Sequence, residues 1–300
     1  MKTTTLILVL LVTGLPAAAA QDLQGTRSTG MGGTLRAAPS GETAVLLNPA
    51  GMTLSRSYVI NALYQYRASD NGSLMNVAVV DSATKTIAAG LYYSYIHASP
   101  SRTFYRLTGP EYSLEETIQT HEVGLSLAYP LFNLVHIGLT GKYINVDVEQ
   151  PDDTPDELTD DTDDGFTMDI GAILKPLPSL NLGVVYSNAI PIDNPSYTRQ
   201  LGMGIAYALG ASFLAEFDAV LDFDKGDEVK TSYHGGGELF LGGSYALRGG
   251  GMYDSYRKAT YVTAGLGLVA SKIALDFGLR QMVEGGAETM VAFSTRVFLQ

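Results

Sequence analysis

Three stretches of this chain carry residue types whose spacing imitates chemical devices. The most charged is 149–165, Glu-Gln-Pro-Asp-Asp-Thr-Pro-Asp-Glu-Leu-Thr-Asp-Asp-Thr-Asp-Asp-Gly. A calcium loop needs oxygen ligands at alternating positions, a glycine for the sharp turn and a bidentate glutamate beyond it. Asp160, Thr162, Asp164 and Gly165 approach that pattern, but no glutamate follows at the required spacing. Asp160 and Asp164 are therefore weak metal candidates, and the plainer reading is a solvated, self-repelling loop. The second stretch, Gly265-x-Gly267-x-x-Ala270, imitates a dinucleotide fingerprint. That fingerprint must open a helix, whereas 272–280 alternates as a strand, so the match is read as accidental. The third set is four histidines, His97, His121, His136 and His234. None sits in a nucleophile elbow or a His-x-x-x-His pair, and His121 and Glu122 would face opposite sides of a strand. A spatial cluster of His234 with Asp218 or Glu238 is the remaining catalytic alternative. Without cysteine there are neither disulfides nor thiolate metal sites. The expectation is a protein that is not an enzyme and holds no cofactor.

What positions these residues follows from composition and periodicity. Charged residues make up 17% of the chain, below the ordinary proportion of about 25%. The net charge of -12 excludes nucleic-acid binding, which needs clustered Lys and Arg. Met1–Ala20 reads as a secretory signal: Lys2, an apolar run over 6–12, and an Ala18-x-Ala20 site that places the mature start at Gln21. Beyond it no apolar run is long enough for a membrane helix. An exported, apolar chain without such a helix points to a β-barrel in a bacterial outer membrane.

Fourteen segments with period-two alternation follow, from 57–67 to 289–299. In 272–280, Ile273, Leu275, Phe277 and Leu279 oppose Lys272, Ala274, Asp276, Gly278 and Arg280. The apolar face suits lipid and the sparse, mixed-charge face suits a lumen. Short connections such as 131–134 and 242–244 alternate with long ones such as 98–119 and 149–165. One-sided loops of a barrel require this, and a soluble sandwich does not. Tyrosines near strand ends, among them Tyr93, Tyr129, Tyr143, Tyr207 and Tyr261, suit interfacial girdles. As an external loop of such a barrel, the acidic stretch would have outer-membrane lipopolysaccharide phosphates as its partners, bridged by divalent ions.

One stretch breaks the alternation. Ser28–Met52 is rich in Gly, Ala and Pro and cannot build a core alone. Gly30, Gly32 and Gly33 allow unusual backbone, and Leu47-Asn48-Pro49-Ala50-Gly51 ends a short apolar run in a turn. The natural enclosure is the barrel itself. Gly-Met-Gly-Gly paired with Leu-Asn-Pro-Ala-Gly, before a Tyr-rich strand, resembles the FadL (OMPP/TodX) outer-membrane transporters and the related PorV/PorQ-type barrels. The resemblance implies an N-terminal hatch inside a fourteen-stranded barrel, with Gly30, Gly32, Gly33, Asn48, Pro49, Ala50 and Gly51 as hatch residues. It also implies passive uptake of hydrophobic small molecules such as long-chain fatty acids, released sideways through a gap in the wall. The alternative is a PorV-like structural or secretion-accessory barrel that binds periplasmic or secretion partners. The expected organisation is a signal peptide at 1–20, a hatch at 21–56 and the barrel at 57–300. Lumenal charges such as Arg67, Glu122, Lys142, Asp169, Glu216, Asp218 and Glu238 would fasten the hatch through Arg27, Arg36 and Glu42. Arg248, Arg280 and Arg296 are candidates either for that network or for meeting a carboxylate head group.

Overall fold

In the computed structural model, residues 9–10, 24–106, 112–115, 117–132, 134–149, 161–194, 196–226 and 228–299 are described. Residues 1–20, read above as a signal peptide, lie outside them apart from Val9 and Leu10, as does Asp160. Fourteen antiparallel strands close into one barrel. They are β1 Tyr58–Arg67, β2 Gly72–Asp81, β3 Ala88–Ala98, β4 Thr117–Leu131, β5 Val135–Glu149, β6 Asp161–Leu177 and β7 Leu180–Ser187. The second half comprises β8 Gln200–Leu209, β9 Phe213–Asp222, β10 Lys230–Leu241, β11 Tyr245–Asp254, β12 Ala259–Val269, β13 Ile273–Glu284 and β14 Thr289–Leu299. A small hairpin, Ser101–Arg106 with Tyr112–Glu115, lies outside the barrel in the loop between β3 and β4.

Alternation does what the sequence leads one to expect. On β13, Ile273, Leu275 and Phe277 are exposed to the bilayer side while Ala274 and Asp276 are buried inside. With no water in the hydrocarbon layer, every strand edge must be paired, and each of the fourteen seams is hydrogen-bonded, including β14 to β1. No sideways gap opens in this ring. The shortest seam is β6–β7, which carries a register shift between Leu180 and Leu182. Tyr261 departs from the girdle reading: it faces inward and is buried, under Arg280. Lys272 is exposed in the turn before β13 rather than on the lumen wall.

Strand length divides the barrel. β4, β5 and β6 have 15, 15 and 17 residues, more than the 9 to 11 or so that cross a bilayer. Their long-loop ends therefore rise above the mouth as a three-stranded wall. The sequence expectation stopped short there because the added residues, such as Asp161, Asp163 and Asp164 on β6, are acidic instead of alternating.

Residues 24–54 lie inside the barrel. They form helix α1 (Thr26–Gly30), helix α2 (Glu42–Leu47) and a single 3-10 turn (Pro49–Thr53). Glycines let two backbones meet closely, and they line the wall at many of the points where the backbone of this inner segment comes against it. A Cβ on Gly278 or Gly265 would stand 2.8 Å from the Thr26 carbonyl oxygen or 3.1 Å from Gly30 Cα. On Gly236 it would stand 2.2 Å from the Met31 carbonyl oxygen, and on Gly183 2.3 Å from that of Arg36. On Gly138 it would meet the Ala50 nitrogen at 2.4 Å, and on Gly90 the Val45 Cγ1 at 2.4 Å. The segment thus runs round the lumen from β13 back to β3, seated on a girdle of glycines.

Candidate lumenal site

The residues of the two glycine-bearing motifs are split across the lumen. Gly32 and Gly33 are left-handed, with φ of 72° and 81°. Gly32 donates its N–H to Thr263 on β12, 2.8 Å, and its carbonyl oxygen lies 2.8 Å from His234 Nδ1 on β10. Asn48–Gly51 sit six strands away against β5 and β6. Asn48 links the two halves of the segment: its Oδ1 accepts from Ala50 N (3.2 Å) and starts the 3-10 turn. Its Nδ2 donates to the Arg36 carbonyl (2.8 Å) and to Val184 of the wall (3.3 Å). Pro49 at the first position of the turn loses no hydrogen bond there. Gly51 is required because a Cβ would lie 2.3 Å from the Pro39 ring.

Charge gathers on the β9–β14 side. Arg27 donates through Nε (2.9 Å) and Nη2 (2.6 Å) to the two carboxylate oxygens of Glu238. Glu238 also accepts from Arg248 Nε at 2.6 Å, and Arg248 Nη1 reaches Asp276 at 2.7 Å. Asp276 takes Arg296 on its other oxygen at 2.6 Å. The four side chains on the wall are buried, as paired ions must be if they are to lie away from water. On β9, Glu216 accepts the N–H groups of Leu35 (3.1 Å) and Ala37 (2.6 Å). Its neighbour Asp218 accepts from the Arg36 N–H and guanidinium, both at 3.2 Å. Two carboxylates two residues apart on one strand thus grip three consecutive backbone units. Sequence alone could place both acids inside, but not show that they meet backbone. Glu42 is buried near Arg296, and burial raises its carboxyl above the ordinary range against the pull of that arginine.

Of the three arginines singled out by type and strand, Arg248 and Arg296 converge on Asp276. Arg280 stands apart at the mouth, paired to Glu288 at 2.7 Å. Asp164 accepts from Tyr143 on the outer face. The histidines are dispersed. His234 has both ring nitrogens engaged, by Gly32 and Ser232, and His136 pairs with Thr53 at 2.6 Å.

The other side of the lumen is held differently. Ala44, Val45 and Met52 pack with Ala78, Val80, Ala88, Tyr92 and Ala128 of β2–β4 in an apolar cluster. Above it, a chamber of about 90 Å³ lies between the inner segment and the mouth. Its wall carries Tyr92 and Glu122, hydrogen-bonded to each other, and Lys142, which holds Asp169 (2.8 Å) and Asn188 (2.6 Å). Arg36, Leu46 and Leu47 form its floor. Below the segment a second cavity, about 320 Å³, faces the short turns and is lined by Ala206, Ala208, Leu214 and Phe240 among others. The inner segment separates the two.

The overall fold is shared with solved membrane transporters and channels. The toluene transporter TbuX of Ralstonia pickettii matches with a TM-score of 0.77 at 14% identity, over 93% of this chain and 100% of its own. The monoaromatic hydrocarbon channel CymD matches at 0.71 and 14% identity, over 93% and 99%. A FadL homologue of Pseudomonas aeruginosa matches at 0.66 and 11% identity, over 92% and 98%. The fold is that of the FadL-type outer-membrane transporters. Its likeness extends over nearly the whole chain, whereas the sequence resemblance rests on 29–52. No protein-family model matches the chain, and no curated protein matches it in sequence.

Proposed function

We propose that the protein is an outer-membrane channel for passive uptake of small hydrophobic molecules, with residues 24–54 as its hatch. The observation that carries this reading is the FadL-type barrel closed around a segment that blocks it. Solved structures with this fold include toluene transporters and monoaromatic hydrocarbon channels. In this reading α1 stays on the charged side, and α2 with the 3-10 turn shifts off its apolar seat to join the upper and lower cavities. Exit is toward the short-turn side, because every seam in the wall is paired. Aromatic hydrocarbons and long-chain fatty acids are the two solute classes to try. For a fatty acid, Arg280 at the mouth is better placed than Arg248 or Arg296 to meet the carboxylate, since those two belong to the hatch network.

A second reading draws on the polarity of the lumen. Ion pairs and backbone hydrogen bonds block it, as a barrel that docks periplasmic or secretion partners would tolerate. Proteoliposomes separate the two. Toluene or oleate entering faster than into protein-free vesicles supports the channel, and entry at the protein-free rate for both moves the assignment to the docking role.

A further inference from the structure

The loop between β7 and β8, residues 188–199, turns back into the mouth; all of it but Pro195 is described. Both feet are pinned. Asn188, left-handed at φ 55°, donates to the Thr198 carbonyl at 2.8 Å and accepts from Lys142. Thr198 donates to Asp222 (2.6 Å), and Arg199 pairs with Asp224. From the first foot the loop continues the pairing of β6: Ala189 N donates to Met168 O and Thr167 Oγ1 to Ile190 O, each at 2.8 Å.

The middle of the loop covers the chamber. Ile192 rests on Gly165, where a Cβ would stand 2.9 Å from Ile192 Cγ2. Tyr197 is only 4% exposed. Its hydroxyl crosses to Glu122 on β4, three strands from β7, and donates at 3.0 Å. Burial, and then Glu122 beside it, push that hydroxyl far above its ordinary range, so it remains a donor. Ile192 and Tyr197 also complete an apolar cluster with Ile118, Ile144, Val146 and Val148, on the inner face of the tall strands.

We propose that residues 188–199 are an outer lid, latched by Tyr197 on Glu122, that must lift before a solute reaches the hatch. Its fastening differs in kind from that of the hatch. At its centre it has one hydroxyl-to-carboxylate bond and two side chains on an apolar patch. Lifting it would expose that patch to water, which is unfavourable in proportion to the apolar area. A hydrophobic solute takes the place of Ile192 and Tyr197 there, and so offsets the cost of opening. A polar solute cannot, which makes the lid selective as well as obstructive. What passes the lid rests on the uptake reading; the lid itself does not.

The chain has no cysteine, so introduced thiols are the only ones. Ser187→Cys puts one in the chamber wall, and its reaction with an impermeant maleimide added outside reports lid opening without any solute. Adding Tyr197→Phe and Ile192→Ala should speed labelling by about ten-fold or more, the factor expected from losing a hydrogen bond to a charged group. Gly165→Cys with Ile192→Cys staples the lid on oxidation; toluene uptake should then fall to the protein-free level and recover on reduction. Equal labelling rates with the latch intact and removed would overturn the lid. So would uptake that proceeds equally in the oxidised and reduced protein. Faster labelling in a protein whose wild type takes up no toluene would uphold the lid and overturn the uptake reading.

Discussion

The two sides of the lumen hold one inner segment by different physics. Along β9–β13 the grip is electrostatic: Arg27 on Glu238, Arg36 on Asp218, and three backbone N–H groups on Glu216 and Asp218. Along β2–β6 it is mostly apolar, with Val45 and Met52 in a buried cluster and Thr53 on His136. Breaking a buried charge pair leaves an uncompensated ion, whereas an apolar contact can be exchanged for another apolar surface at little net cost. The channel proposed above would need one side of its hatch anchored and the other exchangeable, and the asymmetry is of that kind.

The sharpest way to break this comparison is Glu238→Ala. It strands the buried Arg27 guanidinium and leaves Arg248 with Asp276 alone, and about 3–5 kcal/mol should be lost from the anchored side. Urea unfolding with protease protection of residues 24–54 measures it; a loss no larger than that of an apolar-side variant would erase the distinction. Next comes the glycine girdle. Gly250→Ala puts a Cβ 2.7 Å from the Gly32 nitrogen and 2.6 Å from the Gly235 carbonyl oxygen, while Gly249→Ala, facing lipid, meets nothing nearer than 3.9 Å. Overpacking of this kind costs about 1–3 kcal/mol, so Gly250→Ala should loosen the segment and Gly249→Ala should not. Equal effects would mean the close fit is not what seats it. On the apolar side, Thr53→Val removes the bond to His136 and should cost about 1 kcal/mol, read as faster hydrogen exchange in 49–54 alone.

The smallest effect is on pH dependence. Burial raises the Glu42 carboxyl, so the folded state binds this proton more tightly than the unfolded chain. Its contribution is full below the unfolded value of about 4.3 and is lost as pH rises through the raised native value. Protection of 24–54 should therefore weaken as pH rises from the unfolded value through the raised native one, and Glu42→Gln should reduce that slope. An unchanged slope in Glu42→Gln would place the titration elsewhere.

Much of the barrel was legible because lipid imposes a period of two on every strand, and the strand ends agree with the sequence reading to within a few residues at most positions. Gly-Met-Gly-Gly and Leu-Asn-Pro-Ala-Gly marked the segment that sits inside. What they touch was not legible, since barrel closure and register decide that Leu35 and Ala37 meet Glu216, some 180 residues away. The signal for those contacts is glycine itself: Gly90, Gly138, Gly171, Gly183, Gly236, Gly250, Gly265 and Gly278 all fall on lumen-facing positions where the segment meets the wall. Together they trace the girdle. The inward loop was hidden because Ile192, between Pro191 and Pro195, and Tyr197 just beyond them read as an ordinary external connection.

The most direct test fixes the exchangeable side of the hatch. Val45→Cys with Gly90→Cys joins α2 to β3 where a Gly90 Cβ would already touch the Val45 side chain. In proteoliposomes the reduced protein should take up toluene, and the oxidised protein should not, with uptake returning on reduction. Equal uptake in both states would contradict the claim that the apolar side of the segment moves to let solute through.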